Sequence, residues 1–171
     1  MSKAPNPRKQ PRKRVAVLTV SDGVAAGVRE DRSGEVASVE LQKLGFEVVA
    51  REVVSDEKAQ IVAFVRVWAD GGEAELVVTT GGTGLGPRDV TPEAVRPILE
   101  REIPGYGELL RADGLHHTPM AVLSRSLAGT LGSALVICLP GSPEAVREGL
   151  TVLAPTLPHA LELLSGKTEH R

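Results

Sequence analysis

Two aspartates and a run of glycines set the chemical question. Asp56 stands in "VSDE" and Asp89 in "GPRD", and "GGTGLG" separates the strand-like "LVVTT" from Asp89. Glycine weakens regular structure, so four of them within six residues need a reason. Backbone N–H groups without Cβ atoms can approach an anion closely, and a helix beginning near Pro92 adds a partial positive end. A carboxylate directly after such a cradle repels phosphate unless a cation stands between them. Mg2+ held by one or two carboxylates and by phosphate oxygens is the expected arrangement. Asp89 is the first candidate ligand and Asp56 the second. Each also has a local reading, Asp56 as a helix N-cap and Asp89 as an Asx turn closing before the helix. Two familiar phosphate motifs fail. A dinucleotide G-x-G-x-x-G begun at Gly82 meets Pro87 where glycine is required. Gly166-Lys167-Thr168 looks like the end of a P-loop, but Leu161 stands where its first glycine belongs.

Strands and helices must bring these residues together. "RVAVLTV", Arg14 to Val20, is apolar on both faces, as a strand inside a parallel sheet should be. After the polar loop "SDGVAAGVREDRSG", Ser33 is the expected cap of a helix through Leu44, with Gly45 as its stop. Phe46 to Val54 reads as a second strand, and Ser55 or Asp56 as the cap of a helix through Ala69. Leu76 to Thr80 is the third strand. Beyond the glycines, Thr91 is the expected cap of a helix with Pro92 at its first position, shortened by Pro97. Tyr106 to Asp113 reads as a short helix, and Ser124 to Leu139 as a hairpin ending in "ALVICL". Helices from Pro143 to Leu153 and to about Leu164 complete the chain. This βαβαβα order predicts a mostly parallel sheet covered on both faces. In such folds ligands bind beyond the carboxyl ends of the strands, at a switch point. Those ends carry "SDG", "SDE", "GGTGLGPRD" and "PGSP", so the polar loops converge on one edge.

Composition narrows the remaining classes. The 171 residues are 42% hydrophobic and 25% charged, with four aromatics, so aliphatic side chains fill the core. Scarce aromatics argue against stacking recognition of single-stranded bases. Six of the 20 Lys/Arg and none of the 22 acids fall in Met1 to Arg14, which leaves an acidic body. That body offers no basic footprint for nucleic acid. The basic arm reads as a solvated, disordered extension or as a nucleic-acid arm. No apolar run is long enough for a bilayer and no secretory signal is evident. Cys138, the single cysteine, reads as a buried core thiol in a reducing cytoplasm. The adjacent His116 and His117 lack metal-ligand spacing. Arg88 and Arg125 fit either a phosphate contact or a structural ion pair, and Tyr106 a loop anchor or the pocket mouth.

The motif set as a whole resembles a known family. "TTGGTGLGPRDVTPEA", with "TVSDG" and "DRSG" before it and "LPGSPEAV" after it, is similar to the molybdopterin adenylyltransferases. This is the MogA/MoaB-like group, which also forms the G domain of gephyrin-type proteins. The similarity runs from about Val15 to Leu164. It implies a three-layer α/β sandwich, a mostly parallel sheet with helices on both faces and a small antiparallel hairpin. The implied organisation is a basic tail (1–13), one molybdopterin- and nucleotide-binding domain (14–165) and a C-terminal tail (166–171). The implied reaction joins ATP, as its Mg2+ complex, to molybdopterin, giving adenylyl-molybdopterin and pyrophosphate. Asp56 and Asp89 match the family's catalytic, Mg2+-binding carboxylates, and Gly81, Gly82, Thr83 and Gly84 its nucleotide-phosphate loop. Ser21, Asp22, Thr80, Pro140, Gly141 and Ser142 match pocket-lining segments. The resemblance further implies a cytoplasmic, stand-alone enzyme, a homotrimer (in some members a hexamer), and hand-over of product to a molybdenum-inserting partner. Inactive MoaB-type relatives depart from "RDVTP", which is intact here. A non-catalytic molybdopterin-binding carrier or scaffold shares the same pocket and is the alternative.

Overall fold

Strands apolar on both faces have no stable place except the middle of a covered sheet. β1 (Arg14–Val20) and β3 (Leu76–Thr80) take that place. The computed structural model describes residues 11–167; most of the basic arm (1–10) and residues 168–171 lie outside the described residues. β2 (Glu47–Val54) alternates half-buried and exposed positions and forms one edge. β5 (Leu127–Leu131) and β6 (Ala134–Leu139) form the expected hairpin, turned at Gly132 with φ 59°. A two-residue strand absent from the sequence reading, β4 (Arg101–Glu102), pairs with β5. The sheet order is β2-β1-β3-β6-β5-β4, parallel through β6 and antiparallel beyond it.

Alternate residues of the central strands feed two cores, which is the period-2 geometry of a pleated sheet. Val15, Val17, Leu76, Val78, Leu135 and Ile137 face one side. There they meet α2 (Arg32–Lys43), α5 (Pro104–Gly114), α6 (Pro143–Leu153) and α7 (Leu157–Leu164). Ala16, Leu18, Val77, Val136 and Cys138 face the other side, against α3 (Lys58–Ala69) and α4 (Thr91–Val95). The three-layer architecture is as expected. No helix among the described residues is long and apolar enough to cross a membrane.

Several caps differ from the expectation, each for a tertiary reason. The stretch after β1 is not all loop: α1 (Asp22–Ala25) forms there, capped by the Ser21 hydroxyl. Asp31 rather than Ser33 caps α2. Its carboxylate accepts from the Gly34 N–H at 3.0 Å and from the Thr19 hydroxyl at 2.8 Å. Neither Ser55 nor Asp56 caps α3, which starts after Glu57 without a side-chain cap. Thr91 lies inside the first turn of α4, and its hydroxyl donates to the Gly81 carbonyl at 2.9 Å. Pro97 ends α4 as expected, in a 3-10 turn over Arg96–Ile98. Tyr106 anchors α5 to the turn before α7 through a 2.8 Å bond between its hydroxyl and that of Thr156.

Cys138 is fully buried, and desolvation pushes its thiol up to about 12, so it is inert core. The buried hydroxyl of Thr79, its neighbour on β3, has no conventional hydrogen-bond partner and meets only that weak thiol. An unsatisfied buried hydroxyl destabilises. Thr79→Val keeps the β-branched shape and should raise stability by ~1 kcal/mol. Chemical denaturation reads this directly, and a loss of stability would show that the hydroxyl is satisfied.

Candidate active site

The chain leaves β1 toward β2 on one side and places β3 on the other, so the switch point lies between β1 and β3. All four polar loops converge there. The Ser21 N–H donates to the Val54 carbonyl at 2.9 Å, joining the β1 and β2 ends, and the Gly81 N–H donates to the Leu139 carbonyl at 3.1 Å, joining β3 and β6. The Thr80 hydroxyl donates to the Pro140 carbonyl at 2.7 Å. The first two glycines of the loop are required by geometry. Gly81 and Gly82 have φ of 97° and 69°. A Cβ on Gly81 would collide with the Val20 carbonyl, and one on Gly82 with the Thr91 hydroxyl.

Asp56 and Asp89 flank this loop. A Cβ on Gly82 would lie 3.3 Å from Asp56 Oδ1, and Cβ atoms on Gly84 and Gly86 would lie 2.9 and 2.8 Å from Asp89 Oδ2. Asp56 Oδ2 accepts from the Asp22 N–H at 2.8 Å, while Asp22 Oδ1 accepts from the Asp56 N–H at 3.0 Å. Asp89 Oδ2 accepts from the Gly86 N–H at 2.8 Å. Each of Asp56 and Asp89 therefore spends one oxygen on a backbone N–H. Each leaves Oδ1 without a donor among the described residues. Two such oxygens suit Mg2+, which takes few protein ligands and completes its shell with phosphate and water. A closed protein cage is absent: no cluster of three or more His, Cys, Asp or Glu suited to a metal occurs among the described residues.

The paired aspartates Asp22 and Asp56 are shifted in opposite directions. Burial holds the Asp56 carboxyl above its ordinary value against the opposing Asp22 N–H bond, and the charges of Asp22 and Asp89 push it further up. Asp22 lies below its ordinary value, chiefly because Arg88 donates to it. The Arg88 Nε and Nη2 reach its two carboxylate oxygens at 2.9 and 3.0 Å, and Nη2 also reaches Glu57 at 3.0 Å. Arg88 is thus an ion-pair residue bracing the three loops. Asp22 is compensated by Arg88, whereas neither Asp56 nor Asp89 has an ion-pair partner among the described residues.

Two cavities meet at this point. One, of about 670 Å3, is lined by Ser21, Asp22, Asp56, Thr80 and Gly81, with Arg29 and Arg32 at its rim. The other, of about 630 Å3, is largely apolar and is walled by Leu85, Leu110, Met120 and Leu123, with Thr83 and Gly84 on the loop side. Gly82, Asp89 and Gly141 border both. Pro140 borders the apolar cavity, but Ser142 borders neither, because its hydroxyl caps α6 by accepting from the Ala145 N–H at 3.2 Å. The sequence reading missed the apolar cavity and Arg29. Besides α6, which continues the "LPGSPEAV" motif, the cavity wall comes from α5 and the 3-10 segment Pro119–Leu123, which lie outside the motifs and carry no signature of their own. His117 lies 3.3 Å from Glu148 and 3.7 Å from Asp113 at that wall, in ion-pair geometry.

A doubly wound sheet with a glycine cradle, two carboxylate oxygens without donors and joined polar and apolar cavities has the form of a small-molecule site suited to a phosphorylated, ring-bearing ligand. A family model described as "Probable molybdopterin binding domain" matches residues 16–159, and the chain belongs to this molybdenum-cofactor biosynthesis family. A molybdopterin adenylyltransferase of Helicobacter pylori is 39% identical over 157 residues, covering 89% of this chain and 88% of that protein. A molybdenum cofactor biosynthesis bifunctional protein of Chlorobaculum tepidum is 42% identical over 153 residues, with 90% and 49% covered. The chain thus spans about half the length of such bifunctional relatives. The crystal structure of the molybdopterin biosynthesis enzyme MoaB from Thermus thermophilus superposes with a TM-score of 0.85 at 50% identity, covering 91% of this chain and 98% of that one.

The raised Asp56 carboxyl has a thermodynamic consequence. A carboxyl whose folded value exceeds its unfolded value destabilises the fold once it ionises. Asp56→Asn removes that charge and keeps an acceptor for the Asp22 N–H. The ligand-free variant should melt above wild type at neutral pH, and the difference should vanish as pH falls below the ordinary value of 3.8. Melting curves across that range check it; equal melting at neutral pH would mean the charge is already compensated.

Proposed function

We propose that the protein catalyses transfer of an adenylyl group from ATP to molybdopterin, as a cytoplasmic nucleotidyltransferase built on residues 14–165. The observation that carries this reading is the meeting of the two cavities at Gly82, Asp89 and Gly141, on the glycine loop, with Asp56 lining the polar cavity beside it. The polar cavity suits a polyphosphate, with Arg29 and Arg32 facing anionic charge. Arg29 has no carboxylate partner among the described residues. The apolar cavity suits a planar ring.

In this reading an oxygen of the molybdopterin terminal phosphate attacks the α-phosphorus of ATP. The bond from that phosphorus to the β-bridging oxygen breaks, and pyrophosphate leaves. A phosphate monoester is already largely ionised at neutral pH, so no general base has to remove a proton. The task is to bring two anions together in line, which is positioning and charge neutralisation. Gly82 to Gly84 N–H groups hold phosphate oxygens, and Asp56 and Asp89 supply the oxygens that would hold Mg2+. The ion, when bound, withdraws charge from the triphosphate and orients it. The intact "GPRDVTP" loop and the relatives' names favour turnover over a binding-only carrier.

Two measurements decide the reading. Incubation with MgATP and molybdopterin should yield adenylyl-molybdopterin and pyrophosphate, and Asp89→Asn should lower the rate by on the order of 10²-fold. Tight molybdopterin binding without product would instead identify a carrier. The same reading includes assembly as a homotrimer, from which product passes to a molybdenum-inserting partner. Light scattering at micromolar concentration should give three times the 18.0 kDa chain mass; a monomer would contradict it.

A further inference from the structure

Four polar contacts of one residue, Arg125, reach the glycine loop and the helix that follows it. The Arg125 N–H donates to the Thr83 carbonyl at 2.9 Å, its Nε to the Gly84 carbonyl at 2.9 Å and its Nη2 to the Asp89 carbonyl at 2.9 Å. Its Nη1 pairs with Glu93 in the first turn of α4. The guanidinium therefore bridges the start of the 83–89 segment, its end and the helix that follows. No other described side chain holds both ends of the loop by their carbonyls.

The residue is itself held. Arg111 of α5 donates through Nη1 to the Ser124 carbonyl at 3.3 Å and the Ser126 carbonyl at 3.1 Å, on either side of Arg125. Residues just before it, Met120, Ala121, Leu123 and Ser124, line the apolar cavity. A planar fork on a braced backbone fixes geometry in a way a flexible ammonium cannot. The loop needs such help: it follows two glycines at positive φ, Gly81 and Gly82, and Asp89 is otherwise tied only to Gly86, within the loop.

We infer that Arg125 is a positioning residue for adenylyl transfer, holding the 83–89 loop and Asp89 at the junction of the two cavities while leaving phosphate binding to the loop amides. This rests on the adenylylation reading above. All three guanidinium nitrogens are engaged, by two carbonyls and a carboxylate, so it acts on substrate through Asp89 and the loop.

The test compares wild type, Arg125→Lys and Glu93→Gln, each first confirmed folded by its melting curve. Steady-state rates with MgATP and molybdopterin give kcat and KM, calorimetry gives MgATP affinity, and amide hydrogen exchange reports the 82–90 segment. Arg125→Lys keeps the charge but cannot span all three acceptors. It should lower kcat by on the order of 10²-fold, the cost of misplacing a reacting geometry. Its KM for ATP and its MgATP affinity should stay within about three-fold, about 0.65 kcal/mol. Exchange in 82–90 should accelerate. Glu93→Gln should shift the same quantities in the same direction, by less. Unchanged kcat or unchanged loop exchange would overturn the inference, as would a loss confined to KM and affinity, which would make Arg125 a phosphate ligand. A wild type that makes no product would overturn the adenylylation reading and the catalytic role with it. An active wild type matched by an equally active Arg125→Lys would overturn the positioning role alone.

Discussion

The close pass of the Gly81 backbone against the carbonyl of Val20 is the constraint on which the rest of the site depends. β1 and β3 lie side by side in the sheet, and the chain must turn out of β3 without leaving the β1 end. Only a residue without Cβ, at positive φ, makes that turn. Because it does, the Gly81 N–H reaches Leu139 on β6, the Gly81 carbonyl reaches the Thr91 hydroxyl, and four strand ends share one edge. A larger residue there would collide with the Val20 carbonyl.

Charge is the second organising force. The edge gathers Asp22, Asp56 and Asp89, a combination that opposes folding unless each is compensated. The fold compensates unevenly: Asp22 has Arg88, and each of the three carboxylates accepts one backbone N–H. Asp56 and Asp89 retain a bare oxygen. Leaving carboxylate oxygens bare on a crowded edge costs stability, the kind of cost sites often carry. The arginines divide the work. Arg88 braces carboxylates across loops, Arg125 braces carbonyls within one, and Arg29 is left at the polar cavity rim.

Much of the fold was legible because it is written in periodicity. β1, β3 and β6 are short apolar runs, α3 and α6 have helical spacing, and Pro97, Gly45 and Gly132 act as local stops and turns. The caps were the part misread. Asp31 displaced Ser33 because Thr19 stands within reach of Asp31, and Asp56 gave up its capping role because Asp22 offers an N–H from another strand end. Ser142 reads as pocket but serves as a cap. Ser, Thr and Asp have short side chains that serve either role, and what lies beside them decides.

The sequence by itself determined the order of strands and helices along the chain and the delivery of Asp56 and Asp89 to the loops at strand ends. These follow from local backbone sterics and side-chain period, which act over a few residues. Tertiary structure alone decided the partners: Asp22 with Asp56 across 34 residues, Arg88 with Asp22 across 66, and Arg125 with the loop across 36 to 41. It alone assembled the apolar wall from α5, α6 and the segment between α5 and β5. A guanidinium or carboxylate pairs with whatever lies within hydrogen-bond reach, and reach is a property of the packed sheet and helices rather than of sequence spacing.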